Sequence, residues 1–498
     1  MITDELSYLI RQELVHTPTR EQAQAIHVFC QFLTDRSDHV VMILRGCAGT
    51  GKTTLAGAIV RTMLALKQKV MLLAPTGRAA KVFSLNSGHD AYTIHRRIYR
   101  QKTFEGDRAS FNLNFNKFSD MLFMVDEASM ISRGTYQQTQ STPLSFGSGC
   151  LLDDLLQFVY SGHNCRLMMI GDKAQLPPVG EEESPALMRD ILQSYGMKVY
   201  ESDLNEVLRQ AAQSGILYNA TVIRQMLTAF DASAGQYSPK PVQLPRIRIH
   251  SFADIQVVPG NELIEQLNSS YSSVGIDDTI VITRSNKRAN IYNQGIRNSI
   301  LDREDQLNTG DLLMTVKNNY FWVKPHEDSD ESTPATMDFI ANGDRAKVLK
   351  VRNVRELYGF RFADVWLQFP DYDDFELLVT VILDSLLSDA PAMTHEQNEH
   401  LFQEVMNDYA DIPFKAERLK KIREDAYYNA LQVKFAYAIT CHKAQGGQWS
   451  HVYIDQGYMT DDMLTPDYIH WLYTAFTRST EKIFLVNWPK NQLFDQTQ

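Results

Sequence analysis

Short, uninterrupted apolar runs recur along the chain with longer mixed stretches between them. Val40 to Leu44, Val70 to Ala74, Met121 to Val125 and Arg166 to Ile170 are each the length of one strand and show no polar alternation. A strand buried on one face alternates, so continuous runs separated by helical stretches predict a parallel sheet covered on both faces. Asp278 to Thr283, Phe435 to Thr440, Val452 to Asp455 and Ile483 to Val486 repeat the pattern and predict a second sheet, preceded by a helix over Gln213 to Phe230. The segment between its halves reads differently. Gly310 to Tyr320 and Phe339 to Val351 alternate, with Asn-Gly turn chemistry at Asn342-Gly343, which predicts a small β barrel. Thr394 to Asn429 is charged and helix-like, and Gly235 to Pro245, with prolines at 239, 241 and 245, marks a linker or exposed loop. Residues 98–118 are polar and aromatic. Glu105-Gly106-Asp107, between two alternating runs there, predicts a hairpin turn.

The ends of these runs carry the chemistry. Val40 to Leu44 leads into Gly46-Cys-Ala-Gly-Thr-Gly-Lys52-Thr53, a strand turning through glycines into a helix. Gly46, Gly49 and Gly51 let backbone N–H groups close on phosphate oxygens, Lys52 places a charge on the β and γ phosphates, and Thr53 offers a hydroxyl to Mg²⁺. Ala48, Thr50 and Thr54 belong to the same loop and helix start. Met121 to Val125 ends in Asp126-Glu127, so one acid can hold the metal and the other orient the attacking water. Arg166 to Ile170 runs into Gly171-Asp-Lys-Ala-Gln175-Leu-Pro-Pro-Val179, where the prolines stiffen the loop.

Composition sets limits. A chain of 498 residues with 44% hydrophobic content can fill several cores. Its formal charge of −11 argues against a protein that coats nucleic acid by bulk attraction, so any such path is a local groove. Cysteines at 30, 47, 150, 165 and 441 form no CxxC pair and no metal spacing, and read as reduced thiols of a cytoplasmic protein. No apolar run reaches the roughly 18 residues that span a bilayer, and charges stand where a signal peptide has its apolar stretch.

Taken in order, the phosphate loop, Asp126-Glu-Ala-Ser-Met130, the GDKAQLPPVG segment, Thr440-Cys-His-Lys-Ala-Gln-Gly446 and Tyr473-Thr-Ala-Phe-Thr-Arg478 resemble the ordered motifs of superfamily 1 helicases, and most of all the RecD-like and Dda-like group 1B. The likeness runs from about residue 17 to 486. It implies an α/β fold of two RecA-like parallel-sheet motor domains with a β-hairpin insertion and an SH3-like barrel insertion. The expected division is 1–210 for the first motor domain, with 98–118 as a duplex-splitting pin, 211–309 and 431–498 for the second, and 310–430 for the barrel with its helical extension.

The resemblance also implies roles. Gln22 would read adenine, Gln175 would sense the γ-phosphate, and Arg209 and the arginine finger Arg478 would reach it from across the cleft, beside Lys52, Asp126 and Glu127. Gly446 would couple to the nucleotide. Pro75, Thr76, Arg78, Lys81, His95, Asn286, Thr440, His442 and Lys443 would face the strand. The implied activity is ATP- and Mg²⁺-dependent 5′-to-3′ DNA unwinding by a monomeric motor that binds single strands and junctions and no membrane. An RNA or RNA–DNA helicase, and an ATP-gated binding module of a larger complex, share these motifs and stay open. Residues 394–429 are read either as a tower-like extension or as a solvated helical pair.

Overall fold

The computed structural model describes residues 2–101, 109–134, 144–146, 148–207, 214–233, 243–323, 337 and 339–494. Its first sheet has six strands in the order Ala91–Thr93, Lys69–Ala74, Met121–Val125, Arg166–Gly171, Val40–Gly46 and Lys198–Leu204, all parallel. The absence of alternation in the sequence now has its cause. Val41 and Ile43 enter the apolar cluster on one face, while Val40, Met42 and Leu44 enter the cluster on the other. Successive side chains of a strand point to opposite faces, so a doubly covered strand needs apolar residues at every position. The four runs read from sequence are all strands of this sheet. Ala91–Thr93 and Lys198–Leu204 lie at its two edges, where short length and polar residues hide the pattern.

The second sheet has the order Ile255–Val258, Ser479–Val486, Trp449–Asp455, Thr279–Thr283 and Ala438–Thr440, again all parallel. Here one expectation is corrected. The run Phe435 to Thr440 is not one strand: Leu431–Phe435 closes the barrel, and only Ala438–Thr440 joins the parallel sheet. The barrel is closed by Leu312–Thr315, Arg345–Leu357, Phe360–Phe369, Phe375–Ile382 and Leu431–Phe435. A boundary at 430 would cut off its last strand. Barrel residues such as Leu313, Val348, Val365 and Val433 share one apolar cluster with Ile280, Val281 and Tyr453 of the second sheet. The insertion is therefore fused to the sheet by a common core. A buried Arg297–Asp311 ion pair at 3.1 Å lies at the same junction, with Arg303, Tyr437 and Asn308 also donating to Asp311.

The charged segment after the barrel forms two helices, His395–Asp408 and Lys415–Arg423, the first opened by a Thr394–Gln397 capping box. Leu401, Val405 and Ile422 pack on Phe360, Phe362 and Ile382 of the barrel wall. Of the 98–118 stretch, Tyr99–Gln101 and Ala109–Leu113 pair antiparallel, and Leu144–Phe146 adds a third strand. The Glu105-Gly106-Asp107 turn lies outside the described residues, as does most of Gly235 to Pro245. The helix expected from Gln213 is seen from Gly215 to Ser233. None of the five cysteines is in a disulfide. No described helix is long and apolar enough to cross a membrane.

Candidate nucleotide and nucleic-acid site

Parallel strands bring their C-terminal ends to one edge, and ligands bind there in open α/β sheets. The register places Leu44 beside Ile170, Val125 beside Met169 and Leu73 beside Val125. The phosphate loop, Asp126-Glu127, the Asp172 loop and Pro75-Thr76 therefore start at neighbouring positions. Gly49 sits at φ +76°, a left-handed conformation that suits glycine, and a Cβ there would stand 3.1 Å from Leu217. The loop then enters the helix Lys52–Ala65. The Lys52 ammonium donates to the carbonyls of Gly46 (2.5 Å) and Cys47 (3.0 Å), and the Thr50 hydroxyl donates to Cys47 O. Thr53 stands in the first turn and is half-buried, with Thr54 exposed beside it.

Gln22 touches this loop. Thr19 and Gln22 form a capping box at the start of the helix Arg20–Thr34, so the Gln22 carbonyl accepts from Thr19 N–H. Its amide N–H donates to Thr50 O at 2.9 Å. One N–H and one lone pair of the amide remain for another partner.

Asp126 is half-buried, and burial, with the adjacent Glu127 next, pushes its carboxyl up from the usual range; Lys52 acts in the opposite direction. Glu127 holds a left-handed backbone at φ +52°, a conformation that costs a non-glycine residue free energy and is found at functional sites. Its Oε1 lies 3.8 Å from Arg478 Nη1. Arg478 comes from the other sheet's side, just after the helix Pro466–Phe476, and is 3% exposed. Its remaining N–H groups go to Thr474 O, Gly447 O and Thr477 Oγ1, each at 3.2 Å. Gln175 Oε1 and Ser129 Oγ are buried without a protein partner among the described residues. A buried acceptor left unpaired is costly, so both atoms are able to take a further partner such as water. This donor set fits Mg-ATP. Among the described residues no three His, Cys, Asp or Glu side chains form a metal cluster, and Mg²⁺ is ordinarily held by one or two carboxylates with phosphates and water. Arg209 lies outside the described residues.

The GDKAQLP loop is held from the second sheet's helical layer. Tyr473 donates to Asp172 Oδ2 (2.6 Å) and accepts from Ala48 N–H (3.0 Å). Thr474 Oγ1 accepts from Leu176 N–H (2.8 Å), Gln445 donates to Leu176 O (2.6 Å), and a His470 ring nitrogen lies 2.9 Å from Ala174 O. Sequence reasoning passed over Tyr473, Thr474, Gln445, His470 and Asp172. All but His470 stood inside quoted motifs, but nothing in the order of residues marks a partner some 300 positions away.

On the strand-facing side, Thr76 caps the helix Gly77–Ser87 by accepting from Ala79 N–H, with Pro75 before it. Arg78 lies 4.3 Å over the Trp449 ring and donates to Gln448 O while also lining a cavity with Lys81, Asp278 and Arg345, and burial lowers it to about 10. Gly446 has φ +73°, and a Cβ there would meet Thr76 Oγ1 and Ala79. Both thus join the two sheets. Lys81 donates to Pro370 O and Lys443 to Asn342 Oδ1, so each of these cations has one contact with the barrel. Thr440 ends its strand half-buried, and His442 is exposed. Asn286 opens the helix Asn286–Ser299. His95 packs against Tyr99 at 5.5 Å, and burial pushes it down to about 4, so its ring is neutral.

Two family models match: an AAA domain over residues 31–181 and a UvrD-like helicase C-terminal domain over 435–486. An uncharacterised protein of Acanthamoeba polyphaga mimivirus is 22% identical over 90% of this chain and 96% of its own length. The ATP-dependent DNA helicase dda of Enterobacteria phage T4 is 24% identical over 59% of the chain and 60% of its own length. The ATP-dependent RecD2 DNA helicase of Deinococcus radiodurans is 29% identical over 38% of the chain, which spans only 22% of that protein. A crystal structure of a Pif1 helicase from Bacteroides with ADP-AlF3 and ssDNA aligns over 96% of this chain and 94% of its own, at 14% identity and a TM-score of 0.44. With an AAA core in its first half, a UvrD-like helicase segment in its second and these two helicases among its relatives, the chain is similar to the superfamily 1B ATP-dependent DNA helicases.

Proposed function

We propose that the protein moves 5′-to-3′ along single-stranded DNA and separates duplex, driven by Mg-ATP hydrolysis between its two parallel sheets. The observation that carries this reading is the Glu127–Arg478 approach of 3.8 Å, a carboxylate at the edge of one sheet facing a buried arginine from the other. In the proposed division, the first sheet with its hairpin is one motor domain, the second sheet is the other, and the barrel with the helices after it is an insertion in the second.

Lys52 and the phosphate-loop amides would bind the nucleotide's phosphates, and Gln22 would meet the base. Asp126 and Thr53 would hold Mg²⁺, which supplies neutralising charge when bound. Glu127 orients the attacking water, and Gln175 senses the γ-phosphate. Arg478, with Arg209, stabilises charge that develops on the transferring group, an effect worth on the order of 10³ to 10⁵ in rate. Because these groups come from two bodies, hydrolysis depends on closure and becomes relative motion. Pro75, Thr76, His95, Asn286, Thr440 and His442 would grip the strand through hydroxyl, amide, ring and backbone contacts, which suits a chain of net charge −11. Arg78 and Gly446 hold the two grips together.

The test is ATP-dependent unwinding of partial duplexes with a 5′ or a 3′ single-stranded tail, in DNA and RNA, beside Lys52→Ala. Unwinding from the 5′-tailed DNA alone, lost in the variant, is expected. Unwinding from the 3′ tail would overturn the polarity. ATP hydrolysis indifferent to single strands would leave an ATP-gated binding module.

A further inference from the structure

Cys47, Ala48 and Gly49 are consecutive in the phosphate loop, and each meets a side chain from the second sheet's helical layer. Arg224 Nη1 lies 2.5 Å from Cys47 Sγ, the Tyr473 hydroxyl accepts from Ala48 N–H at 3.0 Å, and Leu217 packs against Gly49. Arg224 and Leu217 belong to the helix Gly215–Ser233, Tyr473 to Pro466–Phe476, and these helices pack together. Arg224 Nη1 also donates to Asn205 Oδ1 at 3.1 Å, whereas the second partner of the Tyr473 hydroxyl lies in the loop that carries Gln175. The hydroxyl donates to Asp172 Oδ2 at 2.6 Å, while Asp172 Oδ1 is taken by Ala174 N–H at 3.0 Å. Tyr473 is 1% exposed and Asp172 2%. Water has no access to replace the phenol, and burial together with Asp172 keeps its proton on. One hydroxyl therefore connects the phosphate-loop backbone, the Asp172–Gln175 segment and the helix that leads into Arg478.

We propose that Tyr473 is a positioning residue for ATP hydrolysis, its hydroxyl fixing the Gln175 segment and the Arg478 helix in register with the phosphate loop. Its neighbours support the assignment. Thr474 and His470, on the same helix, hold Leu176 and Ala174 of that segment, so the helix and the loop move as one body when Tyr473 is seated. A displaced Tyr473 would release the loop and withdraw Arg478 together. The residue touches no reacting atom; it acts through Arg478 and Gln175.

The inference rests on reading the chain as a DNA-stimulated ATPase, so the wild type is measured first. Absence of stimulation by single-stranded DNA in the wild type would overturn that reading and this one together. With stimulation present, Tyr473→Phe tests the hydroxyl alone, because the ring keeps its packing. The expected result is a kcat for DNA-stimulated hydrolysis reduced on the order of ten-fold to a hundred-fold, the worth of a hydrogen bond to a charged group. KM for ATP stays within about threefold, because the phosphate-loop ligands are intact. Asp172→Asn, which leaves the ring untouched, should give the same kcat loss, and it decides the question if the phenylalanine variant melts below the assay temperature. A kcat within twofold of wild type in both, or a KM that rises in step with the loss of kcat, would overturn the positioning role.

Discussion

Gly446→Ala separates the energetics of folding from those of closure. The methyl would stand 3.0 Å from Thr76 Oγ1 and 3.0 Å from Ala79 Cβ, and the backbone sits at φ +73°. Two costs of different kinds follow. The left-handed conformation costs an alanine about 1–2 kcal/mol wherever the second sheet is folded. Crowding against a packed neighbour costs about 1–3 kcal/mol, but Thr76 and Ala79 belong to the first sheet. Parting the sheets removes that second cost without unfolding anything. The global stability should therefore fall by only the backbone share, while the crowding share shifts the closed state toward the open one by roughly 5- to 150-fold. Urea denaturation measures the first. DNA-stimulated ATPase, with fluorescence transfer between the helices Gly77–Ser87 and Asn286–Ser299, measures the second. A loss of stability that accounts for the whole change, with transfer as in the wild type, would refute the reasoning.

Asp311→Asn should cost about 3–5 kcal/mol in urea denaturation, because it leaves Arg297, buried to 2% exposure, without its counter-charge; Arg189→Ala, which removes only the exposed partner of Glu201 and leaves the Arg45–Glu201 pair, should cost under about 1 kcal/mol. Asp344 is buried in the barrel, where desolvation raises its carboxyl to about 7. The folded protein thus binds a proton that the unfolded chain has lost between about pH 4 and 7, and stability falls across that window by up to about 1.4 kcal/mol per unit. Asp344→Asn should flatten that slope in melts run from pH 5 to 8; an unchanged slope would show that the carboxylate is solvated. Lys52→Ala should abolish ATP hydrolysis while leaving the melting temperature within a few degrees, since the ammonium's partners are only two carbonyls of its own loop.

The sequence determined the central strands and the chemistry at their ends. Val40 to Leu44 and Met121 to Val125 are apolar at every position because both sheet faces are covered, and a residue one place beyond such a strand falls at the ligand-binding edge. That link is local, so Gly46 to Thr53 and Asp126-Glu127 were legible without a fold. Edge strands such as Lys198–Leu204 were not, since solvent on one side permits polar residues. Nor was the division at Phe435 and Ala438, because two strands of different sheets meet there with no polar break between them. Only the tertiary structure showed which intramolecular partners the basic side chains have. Arg78, Lys81 and Lys443 look alike in sequence to groups that meet a phosphate, and in the fold they also contact Trp449, Pro370 and Asn342. It also decided that Tyr473 reaches Ala48 and Asp172. Short-range pattern encodes burial and backbone geometry, whereas a hydrogen bond between bodies depends on how two completed sheets dock.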